Sequence, residues 1–283
     1  MSGKPAPAAL AMRERHSALF RPYYLRHGRA VVWLLLALFL WVYGIVAMDV
    51  SPERLFIGVG ELVHIAGLML PPDPGSYAAV LVFFQALAET LAIALLGTLG
   101  AATIAFPLGF LAARNTTVSH VVRILARRSF DTLRGVDILI WALVWINVVG
   151  LGPFAGVLAL ISSDVGSFGK LFSEAIEAAD HKAVEGVLST GGSQAAALRF
   201  GIVPQLLPVW LSQVLYFFES NTRSASIIGI VGAGGVGLVL SEQIRTLEFG
   251  QMSFMIGLIW VTVSLIDLLC SRLRFAIIGA RAL

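Results

Sequence analysis

Two stretches of this chain carry side chains that could do chemistry. In one, Glu219 and Arg223 stand four residues apart, with Asn221, Ser224 and Ser226 around them. That spacing puts acid and base on one helix face, with the acid on the favourable N-terminal side. Guanidinium, amide and hydroxyl groups are hydrogen-bond donors, the kind of group a small anion needs. Two readings stay open: an ion pair that fixes a helix end, or a role at an external mouth, since charges in membrane segments usually face a cavity or each other. Asn221, Ser224 and Ser226 likewise either donate to an anion or satisfy unwound backbone. The other stretch, Glu185-Gly186-Val187-Leu188-Ser189-Thr190-Gly191, is polar and is followed thirteen residues later by Pro204. It predicts a short helix, a glycine break and a second helix entering the membrane, a surface knob that another protein can push and pull.

The elements that must position these groups are greasy. Of 283 residues 58% are apolar and 13% charged, about half the ~25% charge of a soluble domain, which predicts an all-α polytopic membrane protein. A span needs about 20 apolar residues. Ala30–Met48 is charge-free; Leu81–Ala113 is interrupted only by Glu89. The run 138–163 holds Gly150-Leu151-Gly152-Pro153 at its middle, and each half extends outward, to about Leu133 and Phe172. It therefore reads as two spans joined by a tight external turn. Phe200–Phe218 and Phe249–Cys270 complete six. Ser173–Asp180 is helical in character, Ala183–Ser189 opens a further short helix, and Gly191-Gly192 breaks it. Arginines cluster at 13–29, 114–134 and 272–281. Cytoplasmic flanks collect Lys and Arg, so both termini and the 114–134 loop are expected inside, and with six spans the 173–200 loop is cytoplasmic too. Residues 49–82 are expected outside, as a plain loop or a docking arm. Asp267 is expected to pair with Arg272, one turn away.

The segment 224–241 is crowded with glycine, among them Gly232, Gly234 and Gly235. Its Gly232-Ala233-Gly234-Gly235-Val236-Gly237 matches G-x-G-x-x-G, but the dinucleotide site needs a strand before it and an acid about 20 residues on, where Gly257 stands. No G-x-x-x-x-G-K-[ST] occurs. The segment reads as re-entrant backbone on the external side, lining a path or gate or allowing close packing. A membrane enzyme needs a nucleophile, base or metal ligands at one depth, and all five histidines fall outside the spans. The single Cys270 forms no disulfide within the chain and suggests no metal site. The arginines flank apolar runs, which disfavours nucleic acid as a partner. A self-sufficient secondary transporter would carry internal repeats, and none is evident.

The polar stretch resembles the EAA loop of ABC-importer permeases, whose pattern is E-A-A-x-x-x-G, nine residues, then I-x-L-P. Glu185 and Gly191 occupy the Glu and Gly positions, and Val203-Pro204 the final Leu-Pro; Gly186, Val187 and Gly201 depart from it. The runs from Glu89 to Thr98, Gly150 to Leu160, Gly169 to Glu177 and Phe218 to Gly237 are similar to phosphonate-type permeases. The resemblance covers about 85–275. It implies a type I ABC-importer permease fold with a cytoplasmic EAA coupling helix, in a bacterial inner membrane. With the charge and span pattern it divides the chain into a cytoplasmic segment 1–29, a first span and external loop 30–82, a permease core 83–275 with coupling loop 173–200, and a cytoplasmic tail 276–283. It implies two cytoplasmic ATPase subunits contacting Ala183, Glu185, Gly186, Leu188 and Gly191, with ATP and Mg bound there and no cofactor on this chain. A second permease subunit, identical or paralogous, and an extracytoplasmic solute-binding protein complete the expected assembly. The implied solutes are phosphonates, phosphite or hypophosphite; another small solute such as an amino acid is the alternative.

Overall fold

The structure, a computed structural model, describes residues 23–117 and 119–279. The basic residues up to 22 and the last residues, 280–283, both expected inside, lie outside that range. Among the described residues all regular structure is helical. Five helices are long and apolar enough to span a membrane, or six if one bent pair counts as a single span.

The chain divides into two units, Met1–Ala66 and Gly67–Leu283. The first holds α1 (Tyr23–Ala47), whose apolar stretch Ala30–Ala47 is the expected first span. Where a loop was expected, α2 (Pro52–Leu68) follows. Its start is written in Ser51-Pro52: the serine hydroxyl accepts from the Arg54 N–H at 3.2 Å, and proline is pre-organised for the first helical turn. Leu55, Phe56, Val59, Leu62 and Val63 then recur at helical spacing.

In the second unit α3 (Tyr77–Ala112) is capped by Ser76, which accepts from the Ala79 N–H. Its 36 residues extend about 54 Å, longer than a bilayer's apolar core. The segment expected as an arginine-rich loop is α4 (His120–Arg134), an amphipathic helix. It meets α5 (Ile138–Val149) at 90°, so the apolar helix expected from about Leu133 begins only at Ile138. Asp137 causes the break: its carboxylate accepts from the Leu139 N–H at 2.8 Å and starts α5 afresh. The Gly150–Gly152 turn leads into α6 (Pro153–Ala178). Residues 173–178, expected as a helical part of the coupling loop, are the last turns of that continuous helix.

After extended Ala179, α7 (His181–Ser189) lies outside the bundle. The chain resumes at Gln194–Ala196, passes through a π-helical stretch Ala197–Ile202 and runs directly into α8 (Val203–Ile228). A 3-10 turn, Gly229–Val231, and the glycine loop lead to α9 (Val236–Thr246), then α10 (Phe249–Gly279).

Small residues bring α3 and α6 together. A Cβ on Gly97 would lie 2.5 Å from that of Leu160, and one on Gly169 would lie 2.3 Å from the Phe130 ring of α4. Such positions replace the hydrophobic drive that membrane helices lack toward one another. Below them Phe168, Phe172 and Trp210 are buried, with Phe106 edge-on to Trp210 at 5.1 Å between centroids.

Candidate functional site

Helix α7 owes its position to both of its ends. Asp180 accepts from the Lys182 N–H at 2.9 Å and caps the N-terminus. Gly191 ends the segment at φ +83°, a conformation glycine adopts without penalty. Ala183, Glu185, Gly186 and Gly191 are exposed and Leu188 is half-buried. Val184 turns inward onto Gly201 of the π stretch, where a Cβ would stand 3.1 Å from the Val184 Cα. The Gly201 departure from the EAA pattern thus has a steric reason here. Gln205, which sequence reasoning missed, links the carboxamide of α8 to both backbone groups of Asp180.

The second group of expected residues divides. Glu219 is 8% exposed and accepts from Arg223 at 3.4 Å and from Arg274 of α10 at 2.9 Å. The sequence expected this pair at the outer end of its span. Instead α8 continues ten residues past Phe218, to Ile228, so Glu219 lies inside the helix. It meets the C-terminal turns of α10, the end expected on the cytoplasmic side. Arg274 also stands over the Tyr216 ring at 5.9 Å.

Asn221 faces the core. Its Nδ2 donates to Thr98 Oγ1 at 2.9 Å and to Asp164 Oδ2 at 2.5 Å, and all three residues are buried. Its amide hydrogens therefore serve the protein interior. Ser224 and Ser226 donate to the carbonyls of Ser220 and Thr222, so they back-bond to regular helix rather than to unwound backbone. Ser163, Asp164, Ser220, Asn221 and Ser224, together with Arg134 and Asp137, line an open recess of about 250 Å³. Asp164, the first charge after the uncharged run 138–163, carries no local signal in the sequence that points to Asn221. Asp267 is exposed and, among the described residues, in no ion pair. Its five-residue offset from Arg272 puts the two on different helix faces.

Gly232, Gly234 and Gly235 are buried, all three at positive φ. Across from them, Glu89 accepts from the Gly235 N–H at 2.8 Å and Thr90 from the Val236 N–H at 2.7 Å. Two side chains of α3 thereby cap α9, whose own N-cap residue is a glycine without a side chain. The carboxylate also sits at the positive end of the helix dipole. Glu89, the one charge that interrupts its apolar run, is thus taken up by a backbone N–H group of the glycine loop. Glu89→Ala is expected to lower stability by about 1–2 kcal/mol and Glu89→Gln by less, as read from unfolding midpoints of the purified protein in detergent. Equal losses in the two variants would refute the capping role.

A bundle of long apolar helices with an exposed, strapped-down polar helix and a buried polar interior defines a membrane-embedded transport subunit. Residues 105–277 match the model of the binding-protein-dependent transport system inner membrane component family. The chain belongs to that family. It is 37% identical over 229 residues to the putative phosphite transport system permease protein HtxC of Stutzerimonas stutzeri, covering 81% of this chain and 80% of that one. It is 35% identical over 231 residues to the phosphate-import permease protein PhnE of Mycolicibacterium smegmatis, covering 81% of this chain and 42% of the longer relative. Among solved structures, a chain of the inward-facing MetNI methionine ABC transporter superposes with a TM-score of 0.62 at 18% identity, over 71% of this chain and 99% of that one. The fold is that of a type I ABC-importer permease.

Proposed function

We propose that this chain is the transmembrane permease subunit of an ATP-driven importer for phosphite, phosphonates and related phosphorus oxyanions. The observation that carries the coupling role is α7: an exposed helix held between Asp180 and Gly191, with Glu185 on its open face. The solute class rests on the names of the relatives. In this reading both termini and α7 face the cytoplasm of a bacterial inner membrane. Two ATPase subunits, binding ATP and Mg, grip Ala183, Glu185, Gly186, Leu188 and Gly191. A second permease subunit, identical or paralogous, pairs with this one, and an extracytoplasmic binding protein delivers the solute.

The translocation path runs along Glu219, Asn221, Arg223, Ser224 and Ser226, with Gly232, Gly234 and Gly235 near its gate. Within it Arg223 supplies charge. Its side chain is half-exposed, and Glu219, shared with Arg274, neutralises only part of the two guanidinium charges. Glu219 tethers, and Asn221 braces the wall from behind.

Glu185→Arg is expected to leave the chain in the membrane while cutting uptake at least about 100-fold, because reversing a charge in a desolvated contact removes several kcal/mol. The experiment is co-purification with the neighbouring ATPase, followed by uptake of labelled phosphite, methylphosphonate, phosphate and methionine. Normal uptake by Glu185→Arg would overturn the coupling role. Import of methionine alone would overturn the solute class.

A further inference from the structure

We infer that Gln205 is the positioning residue through which a displacement of α7 reaches α8; this rests on the coupling role proposed above. The carboxamide of Gln205 engages one residue twice. Its Oε1 accepts from the Asp180 N–H at 3.0 Å, and its Nε2 donates to the Asp180 carbonyl at 3.2 Å. The same Nε2 donates to the Gly201 carbonyl at 2.7 Å. The backbone N–H and carbonyl on the other side fix which end of the amide is oxygen. Two opposed bonds to a single residue hold rotation as well as distance, as a residue pair does in a sheet.

The residue so held matters because Asp180 is the N-cap of α7. Without Gln205, α7 would join α8 through weaker parts. One is the Gly191-Gly192 turn, with glycine at φ +83°. The other is the π stretch Ala197–Ile202, closed by a bond from the Val203 N–H to the Leu198 carbonyl. Pro204 and Pro208 follow it, and neither residue has a backbone N–H to contribute. A π segment is a locally underpacked turn that recurs at functional positions in helices. The contact of Val184 with Gly201 is apolar and resists compression but not sliding. Gln205 bypasses the soft segment and fastens the cap of α7 to the first full turn of α8. That helix carries Trp210, Glu219 and Asn221 into the bundle.

The test uses the complete transporter, with ATPase and binding protein, in proteoliposomes loaded with ATP. Gln205→Leu removes all three bonds; Gln205→Glu keeps an acceptor for the Asp180 N–H and loses both donors. The readouts are labelled phosphite imported per ATP hydrolysed, and amide hydrogen exchange in α7 and α8. Both variants should bind the ATPase and hydrolyse ATP. Import per ATP should fall about tenfold in Gln205→Leu and less in Gln205→Glu, with exchange speeding in α7 while α8 between Trp210 and Phe218 stays protected. Wild-type import per ATP in Gln205→Leu, or exchange that speeds equally in both helices, would overturn the inference. If Gln205→Leu fails to assemble, Gln205→Glu alone decides by the same criteria. A wild-type chain that never associates with an ATPase would instead refute the coupling role itself.

Discussion

Gly237→Ala should leave almost no folded protein in the membrane. A Cβ at Gly237 would lie 2.0 Å from the Ser226 carbonyl oxygen, 2.8 Å from the Ile230 nitrogen and 2.9 Å from the Gly229 Cα. All three are backbone atoms, so no side chain can swing aside. The end of α8 and the start of α9 would have to separate, pulling Gly235 and Val236 away from Glu89 and Thr90. Overpacking a well-filled site typically costs about 1–3 kcal/mol, and loss of the two capping bonds adds about 1 kcal/mol each. Gly257→Ala is the matched control, because nothing lies within 4 Å of its added Cβ. Membrane-fraction yield and monodispersity in detergent measure the difference. Wild-type yield for Gly237→Ala would show that the hairpin tolerates a gap that its packing argues against.

The second large effect concerns Asn221. Replacing it by leucine removes the side-chain donor to Asp164 and leaves a buried acid without that partner. Leaving a buried acid without its hydrogen-bond partner costs about 1–3 kcal/mol, and more where the acid is charged. Replacing Asp164 together with Asn221 by leucine removes the stranded group as well, and exchanging both partners for apolar groups is often far milder. The double variant should therefore unfold at a higher denaturant concentration than Asn221→Leu alone, with a coupling of about 2 kcal/mol. Strictly additive losses would mean that the two groups do not support one another. Thr98 is a minor participant, since its hydroxyl keeps its own bond to the Ala94 carbonyl at 2.7 Å.

Apolar run length made the long spans readable, because a helix that crosses lipid has to satisfy its backbone within itself. Gly191 likewise marked the end of α7, since positive φ restricts residue type locally, whereas Asp180, which the sequence assigns to the preceding helical stretch, is the cap of α7. The features that escaped depend on partners far along the chain. Glu89 caps a helix 146 residues away, and neither run alone announces the other. Arg274 was counted for topology, but nothing in its neighbours points to Glu219, 55 residues earlier. The extent of α8 was misjudged for a related reason: polarity ended the apolar run at Phe218, whereas the helix ends where Gly229 begins a tighter turn. Buried ion pairs and amides let a helix stay regular through residues that hydropathy counts as loop. Asp137 is the converse, a legible N-cap hidden because the third span was extended back through it to about Leu133.

Helix α6 has 26 residues and so measures about 39 Å. At one end only Ala179 separates it from Asp180, the cap of α7. At the other, the Gly152 N–H is bonded to the Gly232 carbonyl at 3.0 Å, and Gly156 abuts the Ala233 carbonyl. A rod of that length pivoting by about 5° carries its far tip roughly 3 Å, as far as a hydrogen bond is long. Under the proposed function, small strokes at the α7 end are therefore enough to strain the glycine clasp at the other end, and the lever needs no joint of its own.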